Sequence, residues 1–241
     1  MVIAAEGWSG TMAALSNLDL LCRVPIFSSL TPAQMARLGS SVQKLRVKRG
    51  DVIVEQGKTS NSLFVILIGR ARVVMTDERG KEVILASLGP GDYVGELSLI
   101  DGYAHSANVI AETQADLLML GRAEFQSCLE DNRAISIAVI QGLAKRLRKA
   151  DEQIRSLALM DVYDRVASVL ENAATTEVTE AGPVRVLRGK LHRQDIAKMV
   201  GATRETVSRV MKDFEESGFL QTRQDGSIVL ADRRSRRSPT A

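Results

Sequence analysis

The sequence is poor in the residues that build metal centres and disulfide frameworks. It contains two cysteines, Cys22 and Cys128, and two histidines, His105 and His192. Neither pair has metal-ligand spacing, and two cysteines far apart in the chain form no framework of disulfides. We therefore expect no metal and no covalent cofactor, and we expect Cys128 to be a buried small hydrophobic side chain.

Long apolar runs are also missing. No stretch approaches the roughly 18–20 apolar residues that cross a bilayer. No basic segment precedes an apolar one near the first residue, as it does in a secretory leader. With 241 residues, of which 45% are hydrophobic and 25% charged, the chain has the composition of a globular protein with two domains. The expectation is a cytoplasmic protein without a membrane partner.

The positive charge is concentrated near the C-terminus. Residues 190–241 hold 11 Lys/Arg against 7 Asp/Glu, whereas residues 1–189 hold 21 against 22. An excess confined to one segment points to a polyanionic partner for that segment. Residues 233–241, with four arginines among Ser and Pro, are predicted to be a disordered basic tail.

The first half of the chain has the pattern of a β protein. Glycines recur between residues 50 and 102, and runs rich in β-branched residues lie between them, as at 63–68, 72–75 and 82–85. Short strands with glycine turns every 8–12 residues are typical of a barrel or roll. A helical stretch from near Asn17 past Leu21 precedes them. We assign residues 1–130 to N-terminal helices and a β-roll.

After Asp131 the pattern becomes helical: residues 131–160 are assigned as a separate segment, and a continuous helix from about 132 to 160 would be about 43 Å long. Six apolar residues follow a heptad spacing between charged flanks. One interpretation pairs this seam with a second copy of the chain as a dimerisation helix. The other packs it on the chain's own β-roll. The narrow seam favours pairing. Its residues are Ile140, Leu143, Leu147, Ala150, Ile154 and Leu157.

Residues 161–232 carry the pattern of a winged helix-turn-helix. A helix at 162–171 and a loop at 177–182 are expected first. Residues 194–200 then predict a short helix, Gly201 a left-handed turn, and 203–214 a second helix with Thr203 as its N-cap. Small or apolar residues supply the crossing point and the inward faces, and a hairpin with a type I′ turn at Asp225–Gly226 follows. The inward residues are Ala197, Ile196, Val200, Val207 and Val210.

The outward face of the second predicted helix is charged. Arginine forms two hydrogen bonds with guanine, and glutamate accepts from cytosine N4, so we assign base reading to this face. Alternatively, Arg204, Glu205 and Arg209 form a solvated ion-pair network on an ordinary helix. The surrounding helix-turn-helix spacing favours base reading. The outward residues are Arg204, Glu205, Ser208, Arg209 and Lys212.

Together these motifs resemble the bacterial CRP/FNR family of transcription regulators, over about residues 20–231. The resemblance rests on the glycine-spaced roll, Gly91–Leu97, the long helix and Thr203–Arg209. It implies an α+β fold with an N-terminal cyclic-nucleotide-binding-type β-roll (jelly roll), a long dimerisation helix and a C-terminal winged helix-turn-helix. It also implies a homodimeric, ligand-controlled regulator, not an enzyme, that binds double-stranded DNA with inverted-repeat half-sites and works with RNA polymerase.

The resemblance assigns roles on DNA. Arg204, Glu205 and Arg209 match the residues of the family's recognition helix that read base edges, with Ser208 on the same face. Contacts with the phosphates are expected from the hydroxyl, amide and ammonium groups around them. The expected phosphate contacts are Gln194, Thr203, Thr206 and Lys212. Rotation near Met160–Asp161 is expected to bring this face into register with DNA.

The resemblance also outlines an effector site. Gly95-Glu96-Leu97 matches the start of the family's phosphate-binding cassette, in which the glutamate accepts from a ribose hydroxyl. The cassette ends in Arg-Ser or Arg-Thr, and this chain has His105-Ser106, so the expected permanent charge is missing. A Thr-Ser pair that contacts adenine in the family is replaced by Ala150-Asp151, and Asp151 suits the donors of guanine.

These departures leave the effector open. Cyclic AMP, cyclic GMP and cyclic di-GMP all remain, and a cluster of Arg146, Arg148, Asp151 and Arg155 suits the last or is a solvated helix flank. A regulator that needs no ligand is a further alternative. From another class, the chain is a cyclic-nucleotide sensor that controls a partner protein. Iron–sulfur sensing needs about four cysteines, haem sensing has no supporting signal, and no catalytic constellation is present.

Overall fold

A computed structural model describes residues 20–22, 24–179, 182–188 and 192–231. The chain forms two compact units, residues 1–148 and 149–241, and the boundary lies within its longest helix. Most of the predicted N-terminal helical stretch and the whole tail at 233–241 lie outside the described residues. Leu20 and Leu21 are helical and buried. The finer division at 130, 160 and 232 stays a prediction.

The N-terminal unit is built on two four-stranded antiparallel sheets. Their orders are β1-β8-β3-β6 and β2-β7-β4-β5, which confirms the predicted roll. In the described part of this unit, three complete helices and a 3₁₀ turn at Pro25–Phe27 accompany the sheets. The strands are β1 Gln43–Val47, β2 Val52–Val54, β3 Ser62–Ile68, β4 Ala71–Thr76, β5 Glu82–Leu88, β6 Tyr93–Val94, β7 Asn108–Ala111 and β8 Ala115–Gly121. The helices are α1 Pro32–Ser41, α2 Glu96–Asp101 and α3 Arg122–Asp131.

Strand β3 shows why this sequence makes a roll with helices on one side. Four consecutive residues, Leu63 to Ile66, are buried because both faces of the strand are covered. Phe64 and Ile66 join the core between the two sheets, while Leu63 and Val65 join a second core with the helices. The strand therefore links the interior of the roll to the helical layer beside it.

Helix α4, Arg133–Leu159, confirms the predicted long helix. Ile135 and Val139 are buried in the second core, and Leu143 packs against it. The other large seam residues are exposed in the single chain: Ile140 by 63%, Leu147 by 64%, Ile154 by 64% and Leu157 by 54%. Leu143 therefore packs on the roll, as one interpretation expects, and pairing of the exposed residues with a second copy stays a prediction.

The C-terminal unit has three further helices around a four-stranded antiparallel sheet of order β11-β12-β10-β9. Its core confirms the predicted inward residues Ile196, Ala197, Val200, Val207 and Val210. The helices are α5 Val162–Ala173, α6 Arg193–Val200 and α7 Arg204–Glu216. The strands are β9 Thr175–Thr179, β10 Gly182–Leu187, β11 Leu220–Thr222 and β12 Ile228–Leu230.

The turn of the helix-turn-helix has the predicted chemistry. Gly201 adopts the left-handed conformation, with φ of 66°, and ends α6. The Thr203 hydroxyl accepts a hydrogen bond from the Thr206 N–H at 3.2 Å and caps α7. A glycine that tolerates positive φ and an N-cap threonine thus fix the change of direction between the two helices.

Two local predictions in this unit are wrong. Residues 177–182, predicted as a loop, belong largely to β9 and β10, because β-branched residues such as Thr175, Thr176 and Val178 suit an exposed edge strand. The wing turn is not type I′, since that turn needs positive φ at both central residues and Asp225 lacks it. Gly226, with φ of 78°, instead donates to Arg223 O at 3.0 Å in a three-residue loop.

Within the described ranges, no helix is long and apolar enough to span a bilayer. The same residues include no group of three or more His, Cys, Asp or Glu side chains arranged to hold a metal ion. Cys128 is buried in the core beside the helices, as predicted.

Candidate effector pocket and nucleic-acid interface

Gly95 begins the candidate effector site at the junction of β6 and α2. Its φ is +96°, and a Cβ at this position would lie 2.5 Å from the carbonyl oxygen of Ser62. Both observations require glycine, because other residues rarely adopt this backbone and would collide with β3. This close approach of the backbone to β3 positions Glu96 as the first residue of α2.

Glu96 is a buried carboxylate with one oxygen engaged and one free. Only 1% of the residue is exposed. Its Oε1 accepts from Arg146 Nη1 at 2.5 Å, and its Oε2 has no hydrogen-bond partner among the described residues. Burial raises the pKa of Glu96, while the Arg146 charge opposes that rise. The free oxygen is a hydrogen-bond acceptor at a buried position, where an unpaired polar atom lowers the stability of the fold.

Arg146 on α4 holds the site from the other side. It also donates to the Tyr93 carbonyl oxygen at 2.5 Å, and its guanidinium carbon lies 5.0 Å from the centre of the Tyr93 ring. This differs from the predicted cluster on the helix flank, because Arg146 is bound to Glu96 while Arg148, Asp151 and Arg155 are exposed. The long helix therefore supplies a charged side chain directly to the cassette.

Arg122 fixes the other end of α2. It donates to the carbonyl oxygens of Leu99 at 2.9 Å and Ser98 at 3.1 Å, and to the Asn61 side chain at 3.1 Å. The Ser98 hydroxyl is buried without a partner among the described residues, whereas Leu97 is half exposed. A short helix anchored in this way holds Glu96 and Ser98 in place before any ligand arrives.

His105 lies where the family pattern has an arginine. Its Nε2 is 2.9 Å from the Ser60 hydroxyl, and its backbone is bonded to Lys58 and Gly57, each at 2.8 Å. Burial lowers the pKa of His105, so the ring is neutral at pH 7. Ser106 beside it is exposed. The site thus offers hydrogen bonds to a phosphate without a permanent charge from this position.

The polar groups on offer are the free Glu96 Oε2, the Ser98 hydroxyl and the His105–Ser60 pair. Asp151, predicted as a base contact, is exposed on α4.

The recognition face of α7 is open to solvent. Arg204, Glu205 and Arg209 are exposed and Ser208 is half-buried. The alternative ion-pair network is not formed, since Glu205 and Arg209 make no salt bridge with each other or with any described residue. The pKa of Glu205 is lowered, first by a hydrogen bond from the residue's own backbone N–H and then by one from the Thr203 hydroxyl. This carboxylate is therefore a charged acceptor at neutral pH.

The predicted phosphate contacts surround this face. Gln194 is exposed near the start of α6, and Lys212 is exposed and lies 3.4 Å from Glu216. Thr203 and Thr206 join their hydroxyl groups at 3.0 Å at the start of α7. These four side chains and the base-reading candidates lie on the two helices that a helix-turn-helix presents to the major groove.

Sequence reasoning missed Ser60, Ser98, Arg122 and the role of Arg146. Ser60, Arg122 and Arg146 act through contacts made by folding, and none of these three belongs to a local motif. Only Ser98 carried a signal, because it follows Gly95-Glu96-Leu97 directly on the same short helix.

Comparison with protein families agrees with this geometry in both units. The model of the cyclic nucleotide-binding domain matches residues 44–132, and that of the Crp-like helix-turn-helix domain matches residues 164–235. The fold and the two sites define a ligand-responsive, DNA-binding transcription regulator.

Individual relatives extend the match over most of the chain. The CRP-like cAMP-activated global transcriptional regulator of Mycobacterium tuberculosis is 30% identical over 214 residues, 89% of this chain and 95% of the relative. The cAMP-activated global transcriptional regulator CRP of Salmonella typhimurium is 32% identical over 182 residues, which are 75% of this chain and 86% of the relative. The chain belongs to the CRP/FNR family of transcription regulators.

Solved structures show the same fold. A CooA mutant from Carboxydothermus hydrogenoformans is 25% identical, with a TM-score of 0.69 over 86% of this chain and 89% of that one. The c-di-GMP responsive global regulator CLP of Xanthomonas campestris is 23% identical, with a TM-score of 0.70 over 84% of this chain and 100% of that one.

Proposed function

We propose that the protein acts as a homodimer that binds inverted-repeat DNA under allosteric control by a cyclic nucleotide in the roll. The observation that carries the DNA part is the solvent exposure of Arg204, Glu205 and Arg209 on α7, which is held by a buried helix-turn-helix core. Arg204, Glu205, Ser208 and Arg209 read base edges in the major groove. Gln194, Thr203, Thr206 and Lys212 contact phosphates and fix the register.

The exposed part of the heptad seam supports the homodimer. Ile140, Leu147 and Ile154 recur every seven residues and remain solvent-exposed in the single chain. A second copy would bury them and place two recognition helices on half-sites about one helical turn apart, or a multiple of it. As a transcription regulator, the dimer then acts on RNA polymerase.

The effector proposal rests on Glu96. Its free oxygen accepts a ribose hydroxyl, Ser98 adds a second polar group, and the His105–Ser60 pair receives the phosphate. Cyclic AMP is favoured because the relatives at 30–32% identity are named as cAMP-activated. Cyclic GMP and cyclic di-GMP are the alternatives, and Asp151 is the candidate contact for a guanine.

Arg146 offers a route from the effector to the DNA. Because it joins Glu96 to α4, a ligand that bonds to Glu96 changes the hold of the roll on the long helix. A ligand that prefers one arrangement of α4 shifts the population towards that arrangement. The same ion pair supports a ligand-independent alternative, in which Arg146 alone keeps α4 in its DNA-binding position.

The decisive experiment is calorimetric titration with cyclic AMP, cyclic GMP and cyclic di-GMP in parallel, followed by DNA binding with each. We expect one nucleotide to bind the wild type and to change its affinity for a palindromic site. Glu96→Gln should abolish that heat, while Glu124→Gln on α3 serves as a matched control. If no nucleotide registers but DNA binds, the ligand-independent alternative is correct. If a nucleotide binds and no DNA does, the protein is a sensor for a protein partner.

Base reading by Arg209 has its own test. Arg209→Ala should cost about 1–3 kcal/mol on the preferred site and relax the preference at one base pair, because a bidentate contact with guanine is lost. The measurement is competition binding against half-sites that carry each base at each position. Lys212→Ala should weaken all sequences alike. An equal loss on every sequence for Arg209→Ala would contradict base reading.

A further inference from the structure

A hydrogen bond between α5 and the recognition helix lies beside the base-reading candidates. The Tyr163 hydroxyl donates to Asp213 Oδ2. The ring is held edge-on to Phe214, with centroids 6.0 Å apart, and Phe214 in turn packs against Phe219 at 4.9 Å. Phe214 and Phe219 are buried. The hydroxyl of Tyr163 is therefore fixed at Asp213 by the core of the unit.

Asp213 is one helical turn beyond Arg209. Residues four apart on a helix are neighbours, so the carboxylate and the guanidinium lie on the same side of α7. The hydrogen bond to Asp213 and the Asp213 charge raise the pKa of Tyr163, and the Arg209 charge lowers it. Both charged groups thus act on one phenol. Even so, Arg209 makes no hydrogen bond or salt bridge with any residue that the structure describes.

We propose that Tyr163 is a positioning residue that keeps Arg209 free to read DNA by holding the Asp213 carboxylate. This inference rests on the proposed reading of a base by Arg209. With its carboxylate bound to the phenol, Asp213 competes less for the guanidinium one turn away. The bond also keeps a negative charge in a fixed position near the surface that faces the phosphates.

The alternative arrangement follows from the same helix. Without the Tyr163 hydroxyl, Asp213 has one acceptor oxygen more to offer, and Arg209 is the cation closest along the helix face. An ion pair between them must then break before Arg209 reaches a base. Exposed pairs of this kind change an equilibrium by about two- to fivefold. The loss should be confined to the preferred site, since binding to other sequences does not need Arg209 in place.

The test compares Tyr163→Phe, Asp213→Asn and the double variant with the wild type. Tyr163→Phe keeps the ring on Phe214 and removes only the hydroxyl. We expect it to lower the affinity for the preferred half-site about two- to fivefold relative to unrelated DNA. Adding Asp213→Asn removes the competing charge and should restore that ratio. Thermal unfolding of each variant is measured alongside.

The two outcomes separate the role proposed here from a structural one. If Tyr163→Phe leaves the ratio unchanged, or if Asp213→Asn fails to restore it, the positioning role is wrong. A merely structural bond would lower the unfolding temperature in both variants without any rescue of the ratio. Arg209→Ala is run in the same assay. If it does not change the ratio either, base reading itself fails, and that result is distinct from failure of the Tyr163 role.

Discussion

Single residues with local signals were predictable. Gly201 has positive φ, and Thr203 caps a helix, because these roles depend only on the residue and its immediate neighbours. Pairs of distant residues that folding brings into contact were not predictable from the sequence. Glu96 and Arg146 are 50 positions apart, and Ser60 and His105 are 45 apart. Nothing in a local pattern selects one arginine of a charged helix as the partner of a buried carboxylate.

His105 gives a prediction at this scale. His105→Arg should raise the affinity for cyclic AMP, because arginine supplies a permanent charge and a two-pronged hydrogen-bond donor for the phosphate. His105→Gln keeps hydrogen bonding without the charge, and its affinity for cyclic AMP should not increase. The measurement is calorimetric titration at pH 7.5. An arginine variant no tighter than the glutamine variant would place the phosphate away from residue 105.

The same residue predicts the pH dependence of binding. Burial lowers the pKa of His105 in the free protein, so the ring is neutral at pH 7 and above. A bound phosphate favours the protonated ring, and binding then takes up a proton. Affinity for the nucleotide should therefore increase as the pH falls through and below about 6.5, the ordinary range of histidine. The His105→Arg variant should lose this dependence, which titrations between pH 8 and 5.5 would reveal.

At the scale of elements, the sequence predicted helices and strands better than their connections. β3 and α4 carry long apolar patterns, and both were found. The β9–β10 pair was missed because β9 is short and mostly polar, and because both strands form by pairing with each other and with the wing. The face of α4 that packs on the roll was also hidden, since Ile135 and Val139 lie before the heptad seam.

Gly142 marks a close approach of α4 to the roll. A Cβ on Gly142 would collide with the Tyr93 hydroxyl, which is buried without a partner among the described residues. Gly142→Ala gains about 1 kcal/mol of helix propensity, but we expect a net loss because overpacking costs about 1–3 kcal/mol. In a Tyr93→Phe background the nearest ring atom is 3.4 Å away, and the same alanine should stabilise. Chemical denaturation of the four variants measures the coupling, and additive effects would contradict the contact.

At the scale of the whole molecule, the exposed seam predicts assembly. Leu147→Lys places a charge on the predicted dimer interface without touching a described core residue, so the fold should persist while dimers dissociate. Sedimentation equilibrium measures the change in mass. Lys149→Ala on the charged flank is the control and should remain dimeric. DNA binding by the lysine variant should fall to that of a single half-site, and an unchanged mass would refute the seam as an interface.

The seven-residue spacing of Ile140, Leu147 and Ile154 has a mechanical consequence. A straight helix repeats every 3.6 residues, so a stripe of period 3.5 stays in contact with a matching stripe only if two helices wind around each other with a left-handed twist. In the proposed dimer, two helices wound in this way cannot rotate independently. Rotation of one helix would pull its seam side chains out of the spaces between the side chains of the other. Binding of a nucleotide to one subunit would consequently move the recognition helices of both subunits on a palindromic site.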